Sequence, residues 1–229
     1  MDETPDRTDR PTTLRERLRT LPVLDAERPG LDVAGAPEDP VDLFVAWLED
    51  AIDAGVPMPH AATLSTADAS GRVDARTLLL KDVGPGGWVF ATRSDSPKGR
   101  AIAENPNAAL TFLWRERSRQ VRVRGPVVPL DPRESADDFR ARSEQSRATA
   151  LAGTQSAPLA SADAYREAWD AALARVRVEP DVVLGTWTAY ALEATSVEFW
   201  ASVPSGGQAR LRYDAGSAGP GWSRQLLWP

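Results

Sequence analysis

The sequence predicts a mostly β fold with accessory helices, in which an antiparallel sheet closes into a barrel. Short runs of alternating apolar and polar residues recur between tight-turn signals, as expected of strands. The longest helical patterns are gathered in one excursion at about residues 131–176, inside the series of strands. With 229 residues, of which 42% are hydrophobic, the chain can bury the sizeable core that such a barrel requires.

The N-terminal part is predicted to differ from the rest of the chain. Residues 1–38 are expected to form an arm that is partly disordered, and residues 39–229 to form the barrel domain. The domain opens with a helix that begins at Asp39-Pro40, a capping residue followed by proline, and ends at Gly55. Its buried face is predicted to consist of Phe44, Trp47, Leu48, Ala51 and Ile52.

The remaining elements follow from turn signals and periodicity. Strands are predicted at 61–66, 73–83, 88–92, 108–115, 118–129, 186–199, 210–213 and 222–227. A short helix begins at Ser96-Pro97 and ends near Asn105. The excursion starts at Asp131, which forms a capping box with Glu134, and its helices are predicted to run towards residue 153 and from 161 to 176.

The charge and the rare residues narrow the possible chemistry. The 27 Lys and Arg against 33 Asp and Glu give a net charge of −6, which argues against a nucleic-acid partner. The chain has no cysteine and only one histidine, His60, so a Cys/His metal site, a disulfide framework and triad chemistry are not expected. A cofactor is therefore expected to supply the chemistry. With no apolar leader or membrane span in the sequence, we expect a cytoplasmic protein without a membrane partner.

The chain's two lysines, Lys81 and Lys98, fall at informative positions. Lys98 lies in the first turn of the helix opened by Ser96, where amide groups and the helix dipole favour an anion, although a solvated lysine is the alternative. Arg76 and Lys81 would face opposite sides of an ideal strand. Either a bulge re-aims one of them, or they serve different parts of a long ligand.

Seven short motifs, taken together, resemble the pyridoxamine 5′-phosphate oxidase family over about residues 40–229. They are Arg76-Thr77-Leu78-Leu79-Leu80-Lys81, Phe90-Ala91-Thr92, Ser96-Pro97-Lys98-Gly99, Asn105-Pro106, Arg119-Gln120-Val121, Gln155-Ser156 and Glu198-Phe199-Trp200. The resemblance implies an FMN-binding split β-barrel that is homodimeric, with each flavin held between two subunits.

The resemblance also implies which residues contact the flavin. These are Arg76, Thr77, Leu78, Leu79, Lys81, Ala91, Thr92, Ser96, Lys98, Gln120, Gln155, Ser156, Trp200 and Arg210. Arg76 and Lys98 take the family's phosphate-binding positions. Alternation also places Gln120 on the polar face of its strand, opposite Val121. Two positions depart from the family, since Ala91 stands where an aromatic residue is usual and Pro97 replaces an arginine.

The substrate positions implied by the resemblance are less well kept. They correspond to Lys81, Asp138, Arg142, Ser146 and Gln208. Asp138 replaces a tyrosine, and a carboxylate there would repel a phosphate dianion. The family's late Arg-x-His pair falls at Gly206 and Gln208, so both of its side chains are missing. The departures predict a substrate other than the family's usual one.

The sequence therefore predicts an FMN-dependent oxidase that dehydrogenates a small amine or reduced nitrogen heterocycle. Dioxygen is the expected acceptor and hydrogen peroxide the expected product, and the nearest branch is the phenazine-biosynthesis oxidases. The alternatives are a genuine pyridoxine/pyridoxamine 5′-phosphate oxidase and a flavin-binding module without turnover. No catalytic base and no metal ligand are assigned. Tryptophans outside the motifs are expected in the core or at an interface, and these are Trp47, Trp88, Trp169, Trp187, Trp222 and Trp228.

Overall fold

The computed structural model describes residues 13–21, 30–203, 207–216 and 221–229. Within these ranges nine strands form one antiparallel sheet in the order β4-β1-β2-β3-β6-β5-β7-β8-β9. The strands are β1 (Ala61–Ala67), β2 (Val73–Gly84), β3 (Gly87–Arg93), β4 (Asn107–Trp114), β5 (Arg119–Pro129), β6 (Trp187–Leu192), β7 (Ser196–Ser202), β8 (Gln208–Ala215) and β9 (Trp222–Leu226). Because β4 also pairs with β5, the first six strands of this order close into a barrel, and β7, β8 and β9 extend from it.

Six α-helices accompany the sheet in the described part of the chain. They are α1 (Leu14–Arg19), α2 (Pro40–Asp53), α3 (Pro97–Glu104), α4 (Pro132–Ala141), α5 (Glu144–Leu151) and α6 (Ala162–Val178). Turn and cap signals in the sequence predicted α2 to α6, whereas α1 lies in the segment predicted as an arm. Among the described helices, none has the length and apolar character needed to cross a membrane.

Helix α2 packs against the apolar interior of the barrel. Asp39 accepts a hydrogen bond from the Val41 amide at 2.8 Å and caps the helix, as predicted. The fully buried Phe44 ring lies edge-on to Phe112, at 4.8 Å between ring centroids. The prediction that Ile52 is buried is wrong, since 48% of it is exposed. The buried face of the helix includes Leu43 instead.

Two predicted elements are each divided in the structure. The predicted strand 186–199 is two strands, because β6 pairs with residues 127–129 of β5 whereas β7 pairs with residues 119–124. The connection between them, residues 193–195, therefore runs along the same edge of β5. The helical stretch from Asp131 breaks at Arg142, whose backbone is extended, and Ser143 then caps α5 by accepting from the Ser146 amide at 3.2 Å.

The connection between β6 and β7, residues 193–195, lies against β5 only because Gly125 has no side chain. The connection between β6 and β7 donates from the Glu193 amide to Pro126 O at 2.9 Å and from the Thr195 amide to Arg124 O at 2.8 Å. A Cβ atom at Gly125 would overlap the carbonyl oxygen of Glu193. Backbone approaches backbone here, so neither side can relax by a change of rotamer.

We expect Gly125→Ala to lower the free energy of unfolding by about 1–3 kcal/mol, the usual cost of overpacking. The matched control is Gly84→Ala, because a Cβ atom at Gly84 meets nothing within 4 Å. Urea denaturation at one protein concentration measures both variants. Equal urea midpoints for the two variants would show that the close approach of Glu193 to Gly125 does not limit the stability of the barrel.

Candidate functional site

A cavity of about 860 Å³ lies between the barrel and the helical excursion. Its walls are residues of β2 and β3, the first turn of α3, the segment 149–159 and α6. Two groups of polar lining residues stand out. The first is Lys98 with Arg76, and the second is Arg142 with Trp187. The cavity therefore joins the barrel, which carries the predicted phosphate-binding residues, to the excursion, which carries predicted substrate residues.

The first cationic group consists of Lys98 and Arg76. Lys98 is only 8% exposed, and burial lowers the pKa of its ammonium group, with a further lowering by the Arg76 charge. Asp74 opposes this shift as the smallest of the three causes. Arg76 is fixed by hydrogen bonds to Thr66 Oγ1 at 2.9 Å and to Asp74 Oδ2 at 2.6 Å. A buried cation next to a partly buried one provides a site for an anion with more than one negative charge.

The start of α3 is held close to the end of β3, which places Lys98 in the cavity wall. Ser96 Oγ accepts from the Gly99 amide at 3.2 Å and donates to Arg93 O at 2.7 Å. A Cβ atom at Gly99 would overlap the carbonyl oxygens of Arg93 and Ser94. The hydroxyl of Ser96 is thus engaged in capping, and its predicted contact with flavin stays a prediction.

Arg93 fixes the wall opposite the barrel, and no motif of the sequence pointed to it. Its guanidinium donates to both oxygens of Asp95, at 2.8 Å and 2.6 Å, and to the carbonyl oxygens of Ala150 and Gly153. The bonds to Arg93 lower the pKa of Asp95 to about 2. Because Arg93 and Ala150 are 57 residues apart, only the tertiary structure brings this donor to these carbonyls.

The second cationic group includes Lys81, Asp138 and Arg142. The pairing of β2 with β3 shifts by one residue between Leu80 and Asp82, so the alternative of a bulge at Lys81 is confirmed. Lys81 Nζ lies 3.3 Å from Asp138 Oδ1, whereas Arg76 pairs with Asp74, and of these two cations only Arg76 is among the described residues that line the cavity. Arg142 lies over the Trp187 ring, with its guanidinium carbon 4.0 Å from the ring centroid.

Trp187 lines the cavity and donates from Nε1 to Asp138 Oδ2 at 2.8 Å. It was expected in the core or at an interface; it is only half-buried in the single chain, and the interface stays a prediction. Its first position in β6, opposite Arg93 of β3, turns it towards the excursion. Trp47 and Trp88 are buried in the core, as predicted.

A third group of predicted residues lies across β5, β7 and β8. Gln120 pairs with Trp200, and Trp200 pairs with Arg210, so the three side chains form a row on one face of the sheet. Gln208 Oε1 accepts from the Trp200 indole and, at 3.3 Å, from Arg210. None of these four is among the described residues that line the cavity. Gly206 lies outside the described residues.

The cavity brings together eight of the predicted site residues. They are Arg76, Thr77, Leu78, Thr92, Lys98, Arg142, Gln155 and Ser156. Leu79 is exposed, Ala91 pairs with Ala189 in the sheet, and Ser146 accepts a hydrogen bond from Ser143 Oγ. The predictions of ligand contact for these three residues, which are not among the described lining residues, stay predictions.

Comparison with known proteins identifies two matching family models. The model described as pyridoxamine 5′-phosphate oxidase matches residues 48–183, and the one described as the pyridoxine 5′-phosphate oxidase C-terminal dimerisation region matches residues 187–229. Two relatives, each 40% identical, are named pyridoxine/pyridoxamine 5′-phosphate oxidase. The match to the Paraburkholderia phymatum protein covers 87% of this chain and 93% of the relative, and that to the Burkholderia mallei protein covers 95% and 100%.

Solved structures give the same assignment. PhzG from Burkholderia lata, solved in complex with tetrahydrophenazine-1-carboxylic acid, is 31% identical with a TM-score of 0.79, over 88% of this chain and 100% of that chain. An FMN-binding protein from Nostoc punctiforme shares the fold at 16% identity and a TM-score of 0.66, over 85% and 100% of the two chains. The predicted FMN-binding split-barrel class and the predicted enzyme class are confirmed. The chain belongs to the pyridoxamine 5′-phosphate oxidase family of flavin-dependent oxidoreductases.

Proposed function

We propose that this chain is an FMN-dependent oxidase that dehydrogenates a small amine or a reduced nitrogen heterocycle with dioxygen as acceptor. The observation that carries the proposal is the pair of neighbouring cations in the wall of the 860 Å³ cavity, Lys98 in the first turn of α3 and Arg76 in β2. A helix start with two neighbouring cations suits the phosphate of FMN. We extend the proposal to the domain limits, with residues 39–229 as the flavin-binding domain.

The residues present fit the proposed cofactor. Burial lowers the pKa of Lys98 and so disfavours its charged form, and a phosphate dianion would offset this desolvation. Thr77 and Leu78 offer backbone beside the cavity, and Gln155 and Ser156 offer polar groups on the opposite wall. Arg93 holds that wall through the carbonyls of Ala150 and Gly153.

The chemistry that FMN supplies when bound is removal of a hydride from carbon and transfer of both electrons to dioxygen, which gives hydrogen peroxide. The protein's own part is binding and orientation. Lys98 and Arg76 would hold the phosphate, while Arg142 and Trp187 would position an anionic, flat substrate. The Trp187 ring presents an apolar surface that limits access of water to this part of the cavity.

We propose that the site is completed by a second copy of the chain. Gln120, Trp200 and Arg210 are predicted flavin residues, yet they lie in the row across β5, β7 and β8 and not in the described cavity lining. The match of residues 187–229 to a dimerisation region supports this arrangement. A homodimer with flavin at the interface would bring the row of one subunit to the cavity of the other.

For the substrate, we propose the phenazine-type branch. The PhzG structure was solved with a reduced tricyclic carboxylic acid, which is a reduced nitrogen heterocycle. A second candidate is pyridoxine or pyridoxamine 5′-phosphate, because relatives 40% identical carry that name and Lys81, Arg142 and Ser146 are present. A flavin-binding module without turnover is the remaining alternative.

We expect Lys98→Met to weaken FMN binding by about tenfold or more, because a charge-assisted contact to phosphate is lost while the aliphatic stem remains. Riboflavin, which lacks the phosphate, should bind within about twofold of wild type, since only the charge contact changes. Arg72→Ala is the control, as 85% of that side chain is exposed. Flavin fluorescence titration of the apoprotein gives the Kd values. Equal weakening of both flavins would contradict the phosphate assignment.

We expect a heterodimer of Lys98→Met and Arg210→Met chains to keep one intact flavin site. If each site takes Lys98 from one subunit and Arg210 from the other, both lesions fall in the same site and the second site is wild type. Differently tagged chains allow the heterodimer to be isolated, and FMN titration counts its tight sites. Homodimers of each variant are the controls. A heterodimer without any tight site would place both residues in one subunit's site.

We expect the FMN-loaded protein to oxidise tetrahydrophenazine-1-carboxylic acid with a kcat/KM at least about tenfold above that for pyridoxamine 5′-phosphate, as expected when a buried charge is mismatched. Oxygen consumption together with hydrogen peroxide formation measures both reactions. Faster oxidation of pyridoxamine 5′-phosphate would favour the second candidate. A protein that binds FMN and oxidises neither compound would favour the binding module.

A further inference from the structure

Two cationic groups reach the cavity, and they differ in how completely their charge is cancelled. In the second group Arg142 lines the cavity, whereas Lys81 and Asp138 are not among the described lining residues. At the first, Asp74 pairs with Arg76 at 2.6 Å, but the Asp74 side chain is 72% exposed and water screens it. Arg76 accordingly has a larger effect on Lys98 than Asp74 has. At the second, Asp138 pairs with Lys81 and its side chain is only 19% exposed. The carboxylate of Asp138 therefore cancels charge more effectively than that of Asp74.

Asp138 is held by two contacts that use both of its oxygens. Lys81 Nζ lies 3.3 Å from Oδ1, and Trp187 Nε1 donates to Oδ2 at 2.8 Å. A carboxylate engaged at both oxygens and partly buried is a fixed charge and not a mobile surface group. Of the two cations and one anion in this group, one positive charge remains.

The remaining positive charge is that of Arg142. Its guanidinium is stacked on the Trp187 ring at 4.0 Å, and its Nη1 atom is buried without a hydrogen-bond partner among the described residues. Burial lowers the pKa of Arg142, and the Asp138 charge opposes that shift. A buried donor without a partner costs free energy, which a ligand oxygen at this position would offset. Arg142 lines the cavity, so such a ligand has room to bind.

We infer that Asp138 is a specificity-determining residue that makes this end of the cavity select a singly charged carboxylate over a phosphate dianion. The inference rests on the proposed function, because it assigns the substrate class for the same cavity. A carboxylate matches the single net positive charge and offers oxygen to the unpartnered Nη1 of Arg142. A dianion would bring a second negative charge next to the fixed Asp138 carboxylate, and that charge has no free cation in the group.

The test compares two probes on one ring system, 1-naphthoate and 1-naphthyl phosphate, with the FMN-loaded protein. The measurement is calorimetric titration at pH about 8, where the phosphate is a dianion. The variant is Asp138→Asn, which removes the charge and keeps an oxygen that can accept from Trp187. Asp137→Asn is the matched control, because the neighbouring Asp137 side chain is 63% exposed and pairs with Arg140 on the surface.

We expect wild type and Asp137→Asn to bind 1-naphthoate more tightly than 1-naphthyl phosphate. In Asp138→Asn, the Kd for 1-naphthyl phosphate should fall by about tenfold or more and that for 1-naphthoate by less, because removal of one negative charge favours a dianion more. An unchanged ratio of the two Kd values in Asp138→Asn would overturn the inference. So would tighter binding of 1-naphthyl phosphate by wild type.

A second variant keeps the inference testable if Asp138→Asn does not fold. Lys81→Met removes a cation from the same group, and the ratio should then shift further towards 1-naphthoate by about threefold or more. A shift towards the phosphate would overturn the inference. Failure of the proposed function is seen separately, as a protein that does not retain FMN, whereas failure of this inference is seen in protein that retains it.

Discussion

The pairing of β5 with three different strands is the constraint on which the rest of the structure depends. One edge of β5 pairs with β4, and the other pairs first with β7 and then with β6. Gly125 lies between the parts of β5 that pair with β7 and with β6, where a Cβ atom would overlap the Glu193 carbonyl oxygen in the connection between those two strands. The division places β6 inside the barrel ring, where Trp187 reaches the cavity, and β7 outside it, where Trp200 joins Gln120 in the half-buried row.

Two cationic groups with different net charge reach the cavity, because its walls come from different parts of the fold. The barrel wall brings Arg76 and Lys98 together through pairing of β1 with β2 and the tight entry into α3. The excursion supplies Arg142 and Asp138, and the bulge in β2 directs Lys81 to them. The proposed cofactor phosphate and the proposed singly charged substrate would then each have a cationic group of their own.

Much of the fold could be predicted because its signals are local. The cap at Asp39, the turns between β1, β2 and β3, and the capping box at Asp131 each determine an element within a few residues. The division of 186–199 could not be predicted, since both halves have the composition of strands and only their second partners separate them: β6 pairs with β3, whereas β7 pairs with β8. Arg93 was missed for a similar reason, as the carbonyls it contacts lie beyond residue 149.

The sequence by itself determined the family, the strand pattern and the residue types available for chemistry, because motifs and missing residue types need no coordinates. It also placed Asp138 at a substrate position, but predicted only that a carboxylate there would repel phosphate. The tertiary structure decided that this carboxylate contacts Lys81 and Trp187, and that a buried donor of Arg142 has no partner in the described part of the chain. Those contacts join residues from β2, α4, β6 and the break before α5, and their distances follow from packing, which no local pattern contains.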